Sequence, residues 1–206
     1  LLGGDGDAEW QAMKKAGEGL ADALAKDLRE WRNLPRNLRI LALVGKGHNG
    51  GDALVATRRL LKFLPMGQAF ALPLGPISEA KPNVHRIWQE LEDFGRTTFL
   101  EPLDPKGGVA AMIAQLEEIG GSEGFDVCLD GLVGMQFHPP LREPALSLIE
   151  AVNAFDGIGV RVAVDLPSGM GDESDAVSFQ ADFTYATGIA KSPLIESSNA
   201  GKAGRL

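Results

Sequence analysis

Three short polar runs hold most of the residues in this chain that could do chemistry, and each follows an apolar stretch. Gly45-Lys46-Gly47-His48-Asn49-Gly50-Gly51-Asp52 comes after Ile40-Leu41-Ala42-Leu43-Val44 and leads into an apolar helical pattern. A strand, a glycine-rich elbow and a helix start in that order expose backbone N–H groups and a positive helix end, which suits a phosphate. The second run, Asp130 to Gly134, follows Phe125 to Leu129, and the third, Asp165-Leu166-Pro167-Ser168-Gly169, follows Val160 to Val164. Asp165 stands where a buried strand meets a turn. Partial desolvation there would raise its pKa toward neutrality and suit it to general acid or base work; the same pattern also fits an aspartate that bonds the Pro167-Ser168-Gly169 turn. Asn49, Asp130 and Ser168 offer oxygen from three strand ends. With one carboxylate they suit a monovalent cation better than calcium, and as side chains they also suit plain turn capping.

Other chemistries fit poorly. Gly45, Gly47 and Gly50 satisfy G-x-G-x-x-G, yet the second strand candidate, Gln68 to Leu74, carries no acid to hold a ribose, and no Lys-Ser or Lys-Thr follows the last glycine. No G-x-S-x-G elbow is present and no histidine follows Ser168, which argues against a serine hydrolase. His48, His85 and His138 are dispersed and there is one cysteine, so a transition-metal site is not expected. His85 reads as a helix-surface residue, His138 as loop structure and Cys128 as a buried strand thiol without chemistry.

To bring the three runs together, the elements between them must alternate. Trp10, Met13, Leu20, Leu24, Leu28 and Trp31 recur at helical spacing, which predicts an amphipathic helix from Ala8 to about Trp31. Strands are expected at Ile40–Val44, Gln68–Leu74, Phe125–Leu129, Val160–Val164 and Ala181–Ala186. Helices are expected from Asp52, at Ser78–Phe94, Gly108–Ile119 and Pro144–Ala154. Apolar runs without strict alternation suit strands covered on both faces, so the fold class is α/β: a doubly wound, mainly parallel sheet with helices on both faces, a Rossmann-like three-layer sandwich. Such sheets bind ligands at the carboxyl ends of their strands, so the three polar runs should share one rim.

The chain has 206 residues, 44% of them hydrophobic, enough to bury one core, and no linker divides it. Its 20 basic and 28 acidic residues give a net charge of −8 without a basic block, which argues against nucleic acid as a partner. No apolar stretch approaches the roughly 20 residues of a membrane helix, and the start lacks a signal-like segment, so no membrane association is expected and the cytoplasm is the default setting. A start at Leu1 and an abrupt end at Leu206 give the expectation of a piece of a longer chain.

The combination of G-K-G-H-N-G-G-D at 45–52, L-D-G-L-V-G at 129–134 and V-D-L-P-S-G at 164–169 resembles the NAD(P)HX epimerase family, the YjeF N-terminal domain. Ala16-Gly17 on the first helix and Gly188-Ile189-Ala190-Lys191 resemble further family features, so the likeness covers nearly the whole chain. The resemblance implies one epimerase domain over residues 1–206 that interconverts the R and S epimers of hydrated NADH and NADPH, in nicotinamide nucleotide repair, for a fused or separate dehydratase. It implies substrate contacts at His48, Asn49, Gly50, Gly51, Asp52, Gly134, Met135, Gln136 and Asp165, with Asp165 in proton transfer. Potassium at Asn49, Asp130 and Ser168 and a homodimer, with the first helix as a contact, are implied as well. The chain departs from the usual family pattern at Lys46, His48, Ala53 and Met135, where Pro, Asn, Gly and Thr are usual. Some relatives of this fold are non-catalytic scaffolds, and a nucleotide-binding or scaffold domain without catalysis is the alternative reading.

Overall fold

The computed structural model describes residues 6–31, 35–134, 137–171, 174, 176–188, 191–196 and 199–206. Six strands form one parallel sheet in the order β3-β2-β1-β4-β5-β6: β1 Arg39–Val44, β2 Gln68–Pro73, β3 Thr97–Phe99, β4 Phe125–Gly131, β5 Ile158–Val164 and β6 Phe183–Tyr185. This is the doubly wound order, in which connections leave β1 and β4 toward opposite faces and open a crevice between their ends.

Side-chain alternation along the strands feeds two cores. Ile40, Ala42 and Val44 of β1 pack with α1 (Gly6–Trp31), α2 (His48–Phe63) and α3 (Pro82–Phe94) on one face. Leu41 and Leu43 pack with α4 (Gly108–Gly120) and α5 (Ala145–Ala154) on the other. The N-terminal helix obeys its periodicity: Trp10, Met13, Leu20, Leu24 and Leu28 are all buried. Two short helices, Ser192–Ile195 and Ala200–Ala203, follow β6.

At the amino-terminal edge of the sheet, three arginines each reach the carboxyl end of a helix. Arg39 donates to Gly120 and Gly124 carbonyls at the end of α4. Arg96 donates to Leu61 and Leu64 at the end of α2, and Arg161 to Val152 and Phe155 at the end of α5. A guanidinium there satisfies last-turn carbonyls that lack intrahelical partners and opposes the negative end of the helix dipole.

Three expectations are corrected in detail. Helix α2 starts at His48 rather than Asp52, so the second half of the glycine run is helical. The span Ser78–Phe94 is a 3-10 turn at Ile77–Glu79 followed by α3, because Pro82 fits a first helical turn. The edge strand β3, only Thr97-Thr98-Phe99, had no apolar run to announce it.

Candidate functional site

The crevice between β1 and β4 is closed by backbone packing that only glycine permits. A Cβ on Gly45 would lie 1.9 Å from the Leu132 carbonyl oxygen, and one on Gly50 would lie 2.1 Å from the Gly45 oxygen. The elbow therefore threads between two strand ends and turns at once into α2. Gly47 is its N-cap and offers no side-chain bond, leaving the first helix N–H groups open.

Across this crevice Asn49, Asp130 and Ser168 come together. Asp130 is fully buried, and its carboxylate accepts from the Ser168 hydroxyl at 2.6 Å, the Ser168 amide at 2.7 Å and the Leu132 amide at 3.2 Å. Burial pushes its pKa up to about 6, with the Ser168 bonds pulling it back. The Ser168 hydroxyl accepts in turn from the Val133 amide at 2.9 Å. The Asn49 amide donates to the Val164 and Val133 carbonyls at 3.1 and 3.3 Å. The donor set is all oxygen, with one carboxylate and little net charge, which fits a monovalent cation and suits a transition metal badly. Among the described residues no group of three His, Cys, Asp or Glu gathers as such a metal site.

A cleft of about 1230 Å³ lies beside this cluster, between α1 and the segment after β6. Asp52 lines it from the second turn of α2. It is 6% exposed, and its Oδ1 has no hydrogen-bond partner. Burial first, and repulsion from Asp165 second, push its carboxyl up to about 7 against the pull of Lys191. Helix α1 can pass this closely only at Gly17, where a Cβ would sit 2.6 Å from the Asp52 carbonyl oxygen. That contact gives Ala16-Gly17 a structural role beside the acid.

Asp165 follows directly on β5 with φ 70°, a left-handed backbone uncommon for a residue with a side chain. Its amide donates to Tyr185 at 3.0 Å. Its Oδ1 accepts from the Thr187 amide at 3.0 Å and the Thr187 hydroxyl at 2.7 Å, and pairs with the Lys191 ammonium. Asp52, which the sequence marks only as a substrate contact, is thus a carboxyl pushed near neutrality. Thr187 was outside the expected set, and Lys191 was expected only as part of the family feature at 188–191. The signal for them was the strand-end rule applied once more, since both follow β6.

His48 is half-exposed at the mouth of the cleft, with Nε2 2.5 Å from Glu9 Oε1 on α1 and 3.5 Å from the Lys81 ammonium; Asn83 also holds Glu9. Gly50 and Gly51 are buried at the start of α2, and Gly134 packs against the Asn49 amide. Met135 and Gln136 lie outside the described residues, as do Ile189 and Ala190. His85 is exposed on α3, as expected, and Cys128 is buried in β4, where desolvation pushes its thiol up.

The family described as YjeF-related protein N-terminus matches residues 9–192. A bifunctional NAD(P)H-hydrate repair enzyme Nnr from Gloeobacter violaceus is 35% identical over 188 residues, covering 88% of this chain and 32% of that protein. An NAD(P)H-hydrate epimerase from Rhodopirellula baltica is 30% identical over 183 residues, covering 87% of this chain and 65% of that one. The chain thus spans less than two thirds of either relative. The crystal structure of yeast ynu0 shares the fold, with a TM-score of 0.67 and 23% identity over 89% of this chain and 71% of that one.

Proposed function

The chain belongs to the YjeF-related N-terminal family, and from that premise we propose that it is an NAD(P)H-hydrate epimerase, interconverting the R and S forms of hydrated NADH and NADPH. The observation that carries the reading is the acid pair: Asp52, desolvated and without a partner on Oδ1, beside Asp165 held by Thr187 and Lys191. Hydration leaves a hydroxyl on the ring carbon next to the ring nitrogen. Asp52 in its protonated form donates to that hydroxyl, the carbon–oxygen bond breaks, and water leaves. The ring nitrogen's lone pair forms the carbon–nitrogen double bond, and the positive charge is stabilised by the carboxylates. Water then adds to the opposite face and gives a proton to Asp165, whose bonds to Thr187 and Lys191 on Oδ1 leave Oδ2 to receive it. In the reverse direction the two acids exchange roles, as microscopic reversibility requires of an epimerase.

His48 to Gly51 and Gly134 would line the phosphate-bearing part of the substrate, with Met135 and Gln136 as further contacts, while Asp52 meets the ring. Potassium belongs to the same proposal, with Asn49, Asp130 and Ser168 as its holders; when bound, the cation would offset the buried Asp130 charge and tie the start of α2 to the ends of β4 and β5. The product's S form would pass to a dehydratase, fused or separate, and the names of the bifunctional relatives support that pairing. A homodimer and a cytoplasmic setting complete the proposal. No helix among the described residues is long and apolar enough to cross a membrane.

The test is the conversion of purified R-NADHX, followed by chiral chromatography with potassium or lithium and with a protein-free control. Acceleration that depends on potassium is expected. A folded protein that binds nucleotide and accelerates nothing would overturn the reading in favour of a scaffold.

A further inference from the structure

A second cavity, of about 670 Å³, opens over the α4–α5 layer, on the other side of the glycine elbow from the acid cleft. The elbow stands between them: Lys46 lines this cavity, while His48, two residues on, lines the cleft. The turn sits where the strand order reverses, and doubly wound sheets lay the two halves of a dinucleotide across such a crevice. Pro76, Pro102, Phe137 and Leu141 give the cavity apolar walls on which a purine can stack.

One cation in its lining is open to an anion. Lys46 pairs with Glu79, but both side chains are about half-exposed, at 52% and 54%, so the pair is weak and open to exchange. Glu143 is committed to Ser147, whose hydroxyl donates to it at 2.8 Å. Among the described residues no acid pairs with Arg142. Arg142 is thus the cation of this lining that is left without an ion pair among the described residues. A further observation agrees. The carboxyl end of β2, where doubly wound domains place an acid for a free ribose 2′-hydroxyl, runs Pro73-Leu74-Gly75-Pro76 and carries none, and an arginine near such a site accommodates a 2′-phosphate instead.

We propose that this cavity receives the adenosine half of the substrate, and that Arg142, assisted by Lys46, recognises a 2′-phosphate, so that hydrated NADPH is preferred over hydrated NADH. The assignment rests on the hydrated ring occupying the acid cleft. A guanidinium presents a planar fork to phosphate and is the side chain suited to that discrimination.

Calorimetric titration of the 206-residue chain with adenosine 2′,5′-bisphosphate and with adenosine 5′-monophosphate tests it. The bisphosphate should bind about tenfold tighter or more, and Arg142→Gln should bring the ratio to within about twofold, with Arg142→Lys in between. The ratio of kcat/KM for NADPHX over NADHX should fall in the same order. Equal affinities in the unmodified protein, absence of bisphosphate binding, or an unchanged ratio in Arg142→Gln would overturn the assignment. A bisphosphate preference that depends on Arg142 in a protein without epimerase activity would sink the epimerase and leave the cavity's ligand standing. An active enzyme without the preference would do the reverse.

Discussion

Asp52→Asn keeps the shape of the side chain and removes its charge, and the structure sets what should follow. The carboxyl is pushed from 3.8 to about 7 in the folded chain. Between those values the folded state retains a proton that the unfolded state has released. Stability therefore falls as pH rises through that window and stays lowered above about 7. At about 1.36 kcal/mol per unit the penalty is about 4 kcal/mol. Asparagine carries no such penalty and loses no bond at Oδ1, which has none to lose. Thermal melts of variant and parent should coincide near pH 4. At about pH 8 the variant should melt about 8–16 °C higher, while its kcat/KM falls on the order of 10²- to 10⁴-fold. In the parent, kcat/KM should decline as pH rises through about 7, because the donor form is lost, and the variant should lack that limb. Scanning fluorimetry across pH, paired with chiral chromatography, reads both effects. A separation that does not grow with pH would refute the desolvation argument, and full activity in Asp52→Asn would remove it as proton donor.

Lys191→Met removes a charge that holds the Asp52 pKa down, so the alkaline limb of kcat/KM should move to higher pH; a fixed limb in the pH profile would contradict the coupling. Ser168→Ala takes the 2.6 Å bond from Asp130 and should cost about 1–3 kcal/mol by urea denaturation. Because that bond holds the Asp130 pKa down, the loss should grow as pH rises through about 6, and a loss independent of pH would count against it. Gly17→Ala puts a methyl 2.6 Å from both the Asp52 oxygen and Val55 Cβ, and should cost about 1–3 kcal/mol and lower kcat/KM, despite alanine's better helix propensity. A more stable and fully active Gly17→Ala would show that α1 does not press on the acid.

The sheet was legible because β1, β4 and β5 are apolar runs buried on both faces, and the rule about strand ends then named the three polar runs that meet at the crevice. The start of α2 was not, because glycine's weak helix propensity suggested a loop at Gly50-Gly51. Close packing of Gly50 on the Gly45 carbonyl and of Gly51 on Met13 overrides that preference. The pairing of Asp52 with Asp165 was hidden for a different reason. Each acid had a local explanation, one as the start of a helix and one as a turn, and only the passage of α1 across α2 dries the first while Thr187 and Lys191 engage the second. A strand of three residues such as β3 leaves no periodicity to read.

The arginines beneath the sheet divide the molecule's evolutionary freedom. Arg39, Arg96 and Arg161 tie the tails of three helices to the strands far from the crevice, so the register of the scaffold is secured at one edge and the chemistry is assembled at the other. Exchanges at the chemical edge, at positions such as Lys46, His48 and Arg142, can then alter what is recognised without reopening the problem of how the chain folds. Drift at the arginines would do the opposite, eroding the half-life of the protein in the cell while its preference among substrates stayed as it was.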